Sequence, residues 1–85
     1  MHLNDHDLND QDMFLVAADH VAKGHEYFHW PVVGRALRWR ETRSKQAMAS
    51  LHARNLLSTR GAMETKLLPA GRELARRLAA EGPAA

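Results

Sequence analysis

Residues 54–67 read RNLLSTRGAMETKL, and this stretch decides the fold. Two short segments, 56–59 and 64–67, flank Arg60-Gly61-Ala62-Met63, so that a glycine stands where a tight turn needs one. Two such segments around a glycine turn are typical of a β-hairpin. Asn55, just before them, tolerates the left-handed backbone that ends a helix. The stretch therefore predicts a helix that stops at about residue 54, followed at once by a hairpin over residues 56–67.

The helix before the hairpin is predicted over residues 42–54, with Thr42 as its N-cap. At about 100° per residue, Ser44, Met48 and Leu51 share one side, which we expect to face the core. The opposite side is small and polar, lacks acidic residues, and is formed by Thr42, Gln46, Ala49, Ser50 and Ala53. Exposed helix faces usually carry both acidic and basic side chains. This face therefore indicates a surface kept flat for a partner.

A first helix and an extended segment are predicted at the beginning of the chain. Asn9 is a good N-cap, and Asp10 and Asp12 follow in the first turn, where the helix dipole favours acids. Gly24 is a natural end for this helix. Residues 25–30 are short, aromatic and followed by proline, which disfavours helical geometry at the preceding residue. They predict an extended segment or a very short strand.

A second, short helix is predicted over residues 31–38. Pro31 suits its first position, where the missing N–H costs nothing. Val33, Ala36 and Leu37 are expected to face inward. Gly34 inside so short a helix costs about 1 kcal/mol relative to alanine. Its presence predicts a close contact that leaves no room for a side chain.

A last helix is predicted from residue 69 or 70 to about residue 80, with Leu74 and Leu78 on its apolar side. The element order is then helix, short extended segment, helix, helix, hairpin, helix. This order predicts a mainly α (α+β) fold of the winged helix-turn-helix class. It has a three-helix core, a short β-hairpin wing and a C-terminal helix.

Residues 31–80 resemble the winged-helix transcription regulators of the MarR type. The resemblance is carried by VGRALRW at 33–39, TRS at 42–44, RNLL at 54–57 and LLPAGREL at 67–74. Arg38 stands where that family commonly has glycine, and Ser44 stands where an apolar residue usually packs inward.

The resemblance implies sequence-specific binding of double-stranded DNA by a small transcriptional repressor that acts as a homodimer. Helix 42–54 would enter the major groove, and the 56–67 wing would contact the backbone or the minor groove. The residues that would read bases are Thr42, Arg43, Gln46 and Ser50. The residues that would hold phosphates, from the helices or the wing, are Arg35, Arg38, Arg40, Lys45, Arg54, Arg60 and Lys66.

Composition supports the same function class. The chain has 85 residues, no cysteine and a net charge of +2. Residues 1–30 carry six acids and one base, whereas residues 31–85 carry eleven bases and four acids. This asymmetry predicts a basic surface for a polyanion, with the acidic segment away from it. The longest apolar run, residues 14–18, is too short for a membrane span.

The sequence also gives expectations for domain organisation and location. We expect a flexible acidic tail over residues 1–8, one domain over residues 9–81 and a disordered tail over residues 82–85. No secretory signal is recognisable at the N-terminus. The expected location is cytoplasmic, in association with a bacterial nucleoid, and neither a cofactor nor a metal is expected.

A competing motif is His25-Glu26-Tyr27-Phe28-His29, which matches the HExxH pattern of zinc proteases. That pattern needs a continuous helix, and here Gly24 and Pro31 enclose it. We therefore expect no enzyme, although zinc at this motif, or metal at His2 and His6 or at His20 with Glu26, stays a remote hypothesis. Two further functions remain open for the fold: a winged-helix module that binds an acidic protein, and an accessory DNA-binding factor of a mobile element.

Overall fold

The structure, a computed structural model, describes residues 8–81. The helices are α1 (Asp10–Val21), α2 (Trp30–Ala36), α3 (Glu41–Ala53) and α4 (Pro69–Glu81). The strands are β1 (Phe28–His29), β2 (Leu57–Arg60) and β3 (Glu64–Leu67). The tails predicted at residues 1–8 and 82–85 lie outside the described residues, except for Leu8. The fold is mixed α+β, with four helices and one antiparallel sheet in the described part of the chain.

The first helix begins and ends as its sequence predicts. The Asn9 side chain accepts a hydrogen bond from the backbone N–H of Asp12 at 2.8 Å, which satisfies one free donor of the first turn. The helix ends at Val21, and Gly24 follows with a φ of +83°. A left-handed backbone of this kind suits glycine, which has no Cβ to clash.

The predicted extended segment and hairpin form one sheet with strand order β1-β3-β2. Phe28 pairs with Thr65 in the β1–β3 ladder, and Leu57 pairs with Leu67 in the β2–β3 ladder. The hairpin turns at Gly61, whose φ is +70°. The prediction of a hairpin after the third helix is confirmed. The extended segment before α2 adds β1 as the third strand of the sheet.

Helices α2 and α3 both end at a non-glycine residue with a left-handed backbone. After α2, Arg38 has a φ of +60°, its N–H bonds the carbonyl of Arg35, and the Trp39 N–H bonds the carbonyl of Gly34. After α3, Asn55 has a φ of +59° and the same pattern of hydrogen bonds. This is the Schellman motif, which satisfies the last carbonyls of a helix. Each helix therefore stops at a fixed residue.

Three local predictions around α2 and α3 are wrong. Helix α3 begins at Glu41, and its N-cap is Arg40 rather than the predicted Thr42. The Arg40 side chain makes no capping hydrogen bond. Helix α2 begins one residue earlier than predicted and ends at Ala36 rather than at residue 38. Ala36 is exposed rather than inward, because α2 stops there and the chain turns away.

The core is formed by all four helices and the sheet. Phe14, Val33 and Leu51 are fully buried, and Leu57 and Ala75 nearly so. Gly34 packs so closely on Ser44 that a Cβ at residue 34 would overlap the Ser44 Oγ. The predicted close contact at Gly34 is therefore confirmed, and it brings α2 directly against α3.

Leu74 and Leu78, on the apolar side of α4, lie partly buried against this core. Among residues 8–81, no helix is long and apolar enough to cross a membrane.

Candidate nucleic-acid interface

The outer face of α3 is open. Its inner side is buried and consists of Ser44, Ala47, Met48 and Leu51. Thr42, Gln46 and Ala49 are exposed on the opposite side, and Ser50 is half-buried. Helix periodicity places these positions together, because residues three and four apart share a face. Of the four residues predicted to read bases, Thr42, Arg43 and Gln46 are exposed and Ser50 is partly covered.

Arg43 is held by two neighbours within the chain. Its guanidinium makes two hydrogen bonds with the Asp10 carboxylate, at 2.7 and 3.0 Å. It also lies over the ring of Trp39, with the guanidinium carbon 4.2 Å from the ring centroid. The hydrogen bonds from Arg43 hold the pKa of Asp10 below its usual value. A base contact by Arg43 would require the guanidinium to exchange Asp10 for the base.

The cations that flank α3 are also paired. Lys45 contacts Glu41 one turn earlier at 3.0 Å, and Arg54 contacts Asp12 at 3.4 Å. Asp10 and Asp12 thus tie the first turn of α1 to both ends of α3. The prediction that the acidic segment lies away from the basic surface is wrong for this turn.

The hairpin places its two predicted phosphate contacts on one aromatic ring. The guanidinium carbon of Arg60 lies 4.0 Å from the centroid of the Tyr27 ring, and Lys66 Nζ lies 5.7 Å from it. Arg60 also pairs with Glu64 at 3.1 Å, and Lys66 approaches Glu26 at 3.9 Å. Both cations are therefore oriented by their own surroundings.

The end of the hairpin is fixed to α2. The Trp30 backbone N–H donates to the carbonyl of Met63 at 3.3 Å, and the Trp30 ring N–H donates to the carbonyl of Ala62 at 3.4 Å. At the other side, a ring nitrogen of His52 on α3 shares a hydrogen bond with the Thr59 hydroxyl at 2.7 Å. The hairpin is therefore a short, anchored element beside α3.

The last turn of α2 and the link to α3, together the α2–α3 turn, carry three exposed cations, Arg35, Arg38 and Arg40. Unlike the cations of α3 and the hairpin, none of them forms a salt bridge with another residue between 8 and 80. A shallow groove of about 440 Å³ joins this turn to the exposed face of α3. Its lining comprises Arg38, Trp39, Arg40, Thr42, Arg43 and Gln46. The structure thus brings five of the predicted contact residues around one concave surface.

The HExxH motif does not lie on a helix. His29 belongs to β1, and His25 lies in the turn after α1. Within the part of the chain that the structure describes, no three His, Cys, Asp or Glu side chains are grouped as metal ligands. His2 and His6 lie outside that part.

Sequence reasoning missed the acidic partners of the interface, Asp10, Asp12 and Glu26. The helix dipole alone accounts for the first two in the sequence, and no local pattern links residues separated by more than thirty positions.

Comparison with known proteins gives no match: no protein-family model, no curated protein and no solved structure is similar to the chain.

Proposed function

We propose that the protein is a small winged-helix transcriptional repressor that binds double-stranded DNA sequence-specifically. Helix α3 enters the major groove, and the β2–β3 hairpin follows the backbone or the minor groove. The observation that carries the proposal is the open polar face of α3 beside the cations of the α2–α3 turn, which form no salt bridge with residues 8–80. No other described element covers Gln46 and Ala49, which a DNA-reading helix must leave exposed.

The contact residues divide by chemistry. Gln46 can bond adenine through two contacts, and Arg43, once released from Asp10, can do the same with guanine. Thr42 and Ser50 add smaller contacts. The arginines of the turn, with Lys45, Arg54, Arg60 and Lys66, neutralise phosphates and give affinity without sequence information.

A homodimer belongs to this proposal, since one recognition helix reads one half-site. The partial burial of Leu74 and Leu78 limits what α4 can contribute to a dimer. Large hydrophobic side chains are more exposed at Met13, Val32 and Met63.

A second candidate is a winged-helix module that binds an acidic protein. The ion pairs of α3 and the hairpin favour it, because they give this surface a lower net positive charge than its lysines and arginines alone would. An acidic partner would replace Asp10, Asp12 and Glu64 in the same pairs.

The experiment is a titration of the full chain with duplex DNA selected from a random pool, at two salt concentrations. We expect binding that weakens steeply with salt, because counterions are released from the duplex. Gln46→Ala should lower the preference for the selected sequence by about 1–3 kcal/mol with little effect on non-specific duplex. Arg77→Ala on α4 is the control that removes a charge elsewhere. Absence of duplex binding at low salt would overturn the proposal and leave the protein-binding module.

A further inference from the structure

A second basic surface lies between α1 and α4, formed without α3 or the hairpin strands. It is a cleft of about 650 Å³. From α1 and the turn after it come Val16, Asp19, His20 and Lys23, which recur at helical spacing. From α4 come Arg72, Arg76 and Ala79, which recur in the same way. Two helix faces thus oppose each other across a concave space.

The cations of this cleft, Lys23, Arg72 and Arg76, form no salt bridge with any other residue between 8 and 80. Arg72 is only partly exposed, and its side chain makes no hydrogen bond within the same range. A guanidinium has five N–H donors, and donors withdrawn from solvent usually have partners. The cleft therefore offers donors that the described fold does not use.

The other polar groups of the cleft are two imidazoles and two carboxylates. His20 and His25 are exposed, and each can donate a ring N–H. Glu26 is directed to Lys66 at 3.9 Å, and Asp19 is half-buried on α1. The three cations outnumber the two carboxylates, and the two imidazoles add further N–H donors, so the cleft favours an anion with several acceptor oxygens.

We propose that this cleft binds a small phosphorylated anion. Arg72 and Arg76 lie one turn apart on the same face of α4, so that their planar donor groups can bond oxygens of one ligand. Lys23 can add a compact charge from the opposite helix. A phosphate group carries up to about two negative charges and three acceptor oxygens at neutral pH, which matches these donors. The inference does not rest on DNA binding by α3.

The test uses inorganic pyrophosphate as the probe, titrated into the isotope-labelled full chain at physiological ionic strength. Amide shifts should change around Lys23 and Arg72 and saturate. Arg76→Gln should weaken this binding about tenfold, since a hydrogen bond to a charged group is lost. Arg77→Gln is the matched control, because it removes the same charge from the next, equally exposed residue. It should leave the affinity within about twofold, as a screened distant charge does.

Three results would overturn the proposal. The first is no saturable shift with pyrophosphate. The second is an equal effect of the two variants, which would indicate only non-specific attraction to a basic helix. The third is an equal loss of pyrophosphate and duplex affinity in Arg76→Gln, which would make the cleft part of a DNA-binding surface. Failure of duplex binding with intact pyrophosphate binding would overturn the proposed function alone.

Discussion

The cations of α3 and the hairpin differ from those of the α2–α3 turn in their immediate surroundings. Arg43, Arg54 and Arg60 each face a carboxylate of the same chain. Arg35, Arg38 and Arg40 have no such partner among the described residues. The first set is therefore already oriented and partly neutralised, whereas the second set has no counterion among residues 8–80.

This difference has a simple electrostatic meaning. Exposed ion pairs contribute only about 0–1 kcal/mol to stability, because water and salt screen them. A polyanion can therefore displace Asp10 or Glu64 at small cost. In the proposed complex, the paired carboxylates would act as built-in counterions, and Arg35, Arg38 and Arg40 would supply the first attraction.

The largest expected effect comes from a substitution that shifts α2, and with it the α2–α3 turn, relative to α3. Gly34→Ala inserts a Cβ where Ser44 lies, and we expect overpacking to cost about 1–3 kcal/mol of unfolding free energy. At an open helix position the same change would gain about 1 kcal/mol, so that a loss reports the contact. Urea denaturation measures the difference.

The control for this change is the same substitution in a Ser44→Ala background. The Ser44 hydroxyl is the first atom that the new Cβ would meet, and its removal should recover part of the loss. An equal cost of Gly34→Ala in both backgrounds would show that the close contact does not limit the approach of α2 to α3.

A second change sharpens the comparison without damaging the fold. Arg38→Gly removes a cation that has no salt bridge with residues 8–80, at a φ of +60° where a non-glycine residue costs about 1–2 kcal/mol. Relief of this cost, less the greater freedom of glycine in the unfolded chain, should leave stability unchanged or raise it by up to about 1 kcal/mol. Duplex affinity should fall for all sequences alike, and the slope of log K against log salt should drop by about one.

Asn55→Gly is the matched control, since it changes a second non-glycine residue with a left-handed backbone without altering charge. It should keep both the affinity and the salt slope of the original chain. A duplex affinity that is unchanged in Arg38→Gly would contradict a phosphate contact at the turn.

Local chemistry made part of this structure predictable. Asn9, Gly34 and Asn55 each have a property that one backbone environment requires, namely a cap, a missing side chain and a left-handed conformation. The start of α3 was missed because the Schellman turn at Arg38 leaves only two residues before the helix resumes. That geometry overrides the capping preference of Thr42.

The candidate interface was less predictable than the fold. Periodicity identified the exposed face of α3, because it depends on residues close in sequence. The ion pairs with Asp10 and Asp12 depend on how α1 packs across α3, which no local spacing encodes. Whether a lysine or arginine is available for a partner is therefore a tertiary property.

The smallest expected effect comes from removing one built-in counterion. Asp10→Asn loses the charge that holds Arg43, so duplex affinity should rise severalfold at most, because the pair is exposed and screened by water and salt. Asp19→Asn is the control, because it raises the net charge equally on the same helix without releasing Arg43. Equal gains in the two variants would show that Asp10 acts only through net charge.

The pH dependence of stability gives an independent measure of the same pair. The hydrogen bonds from Arg43 lower the pKa of Asp10 from its usual value of 3.8, so the folded state binds this proton less readily than the unfolded chain. The stabilisation is therefore fully present above that value and is lost as pH falls through the lower pKa of the folded state. Thermal unfolding should show the original chain more stable than Asp10→Asn at neutral pH. The difference should shrink as the solution is acidified below about pH 4, where the unfolded carboxyl is protonated. A difference that persists unchanged in acid would mean that Asp10 stabilises α1 through something other than its charge on Arg43.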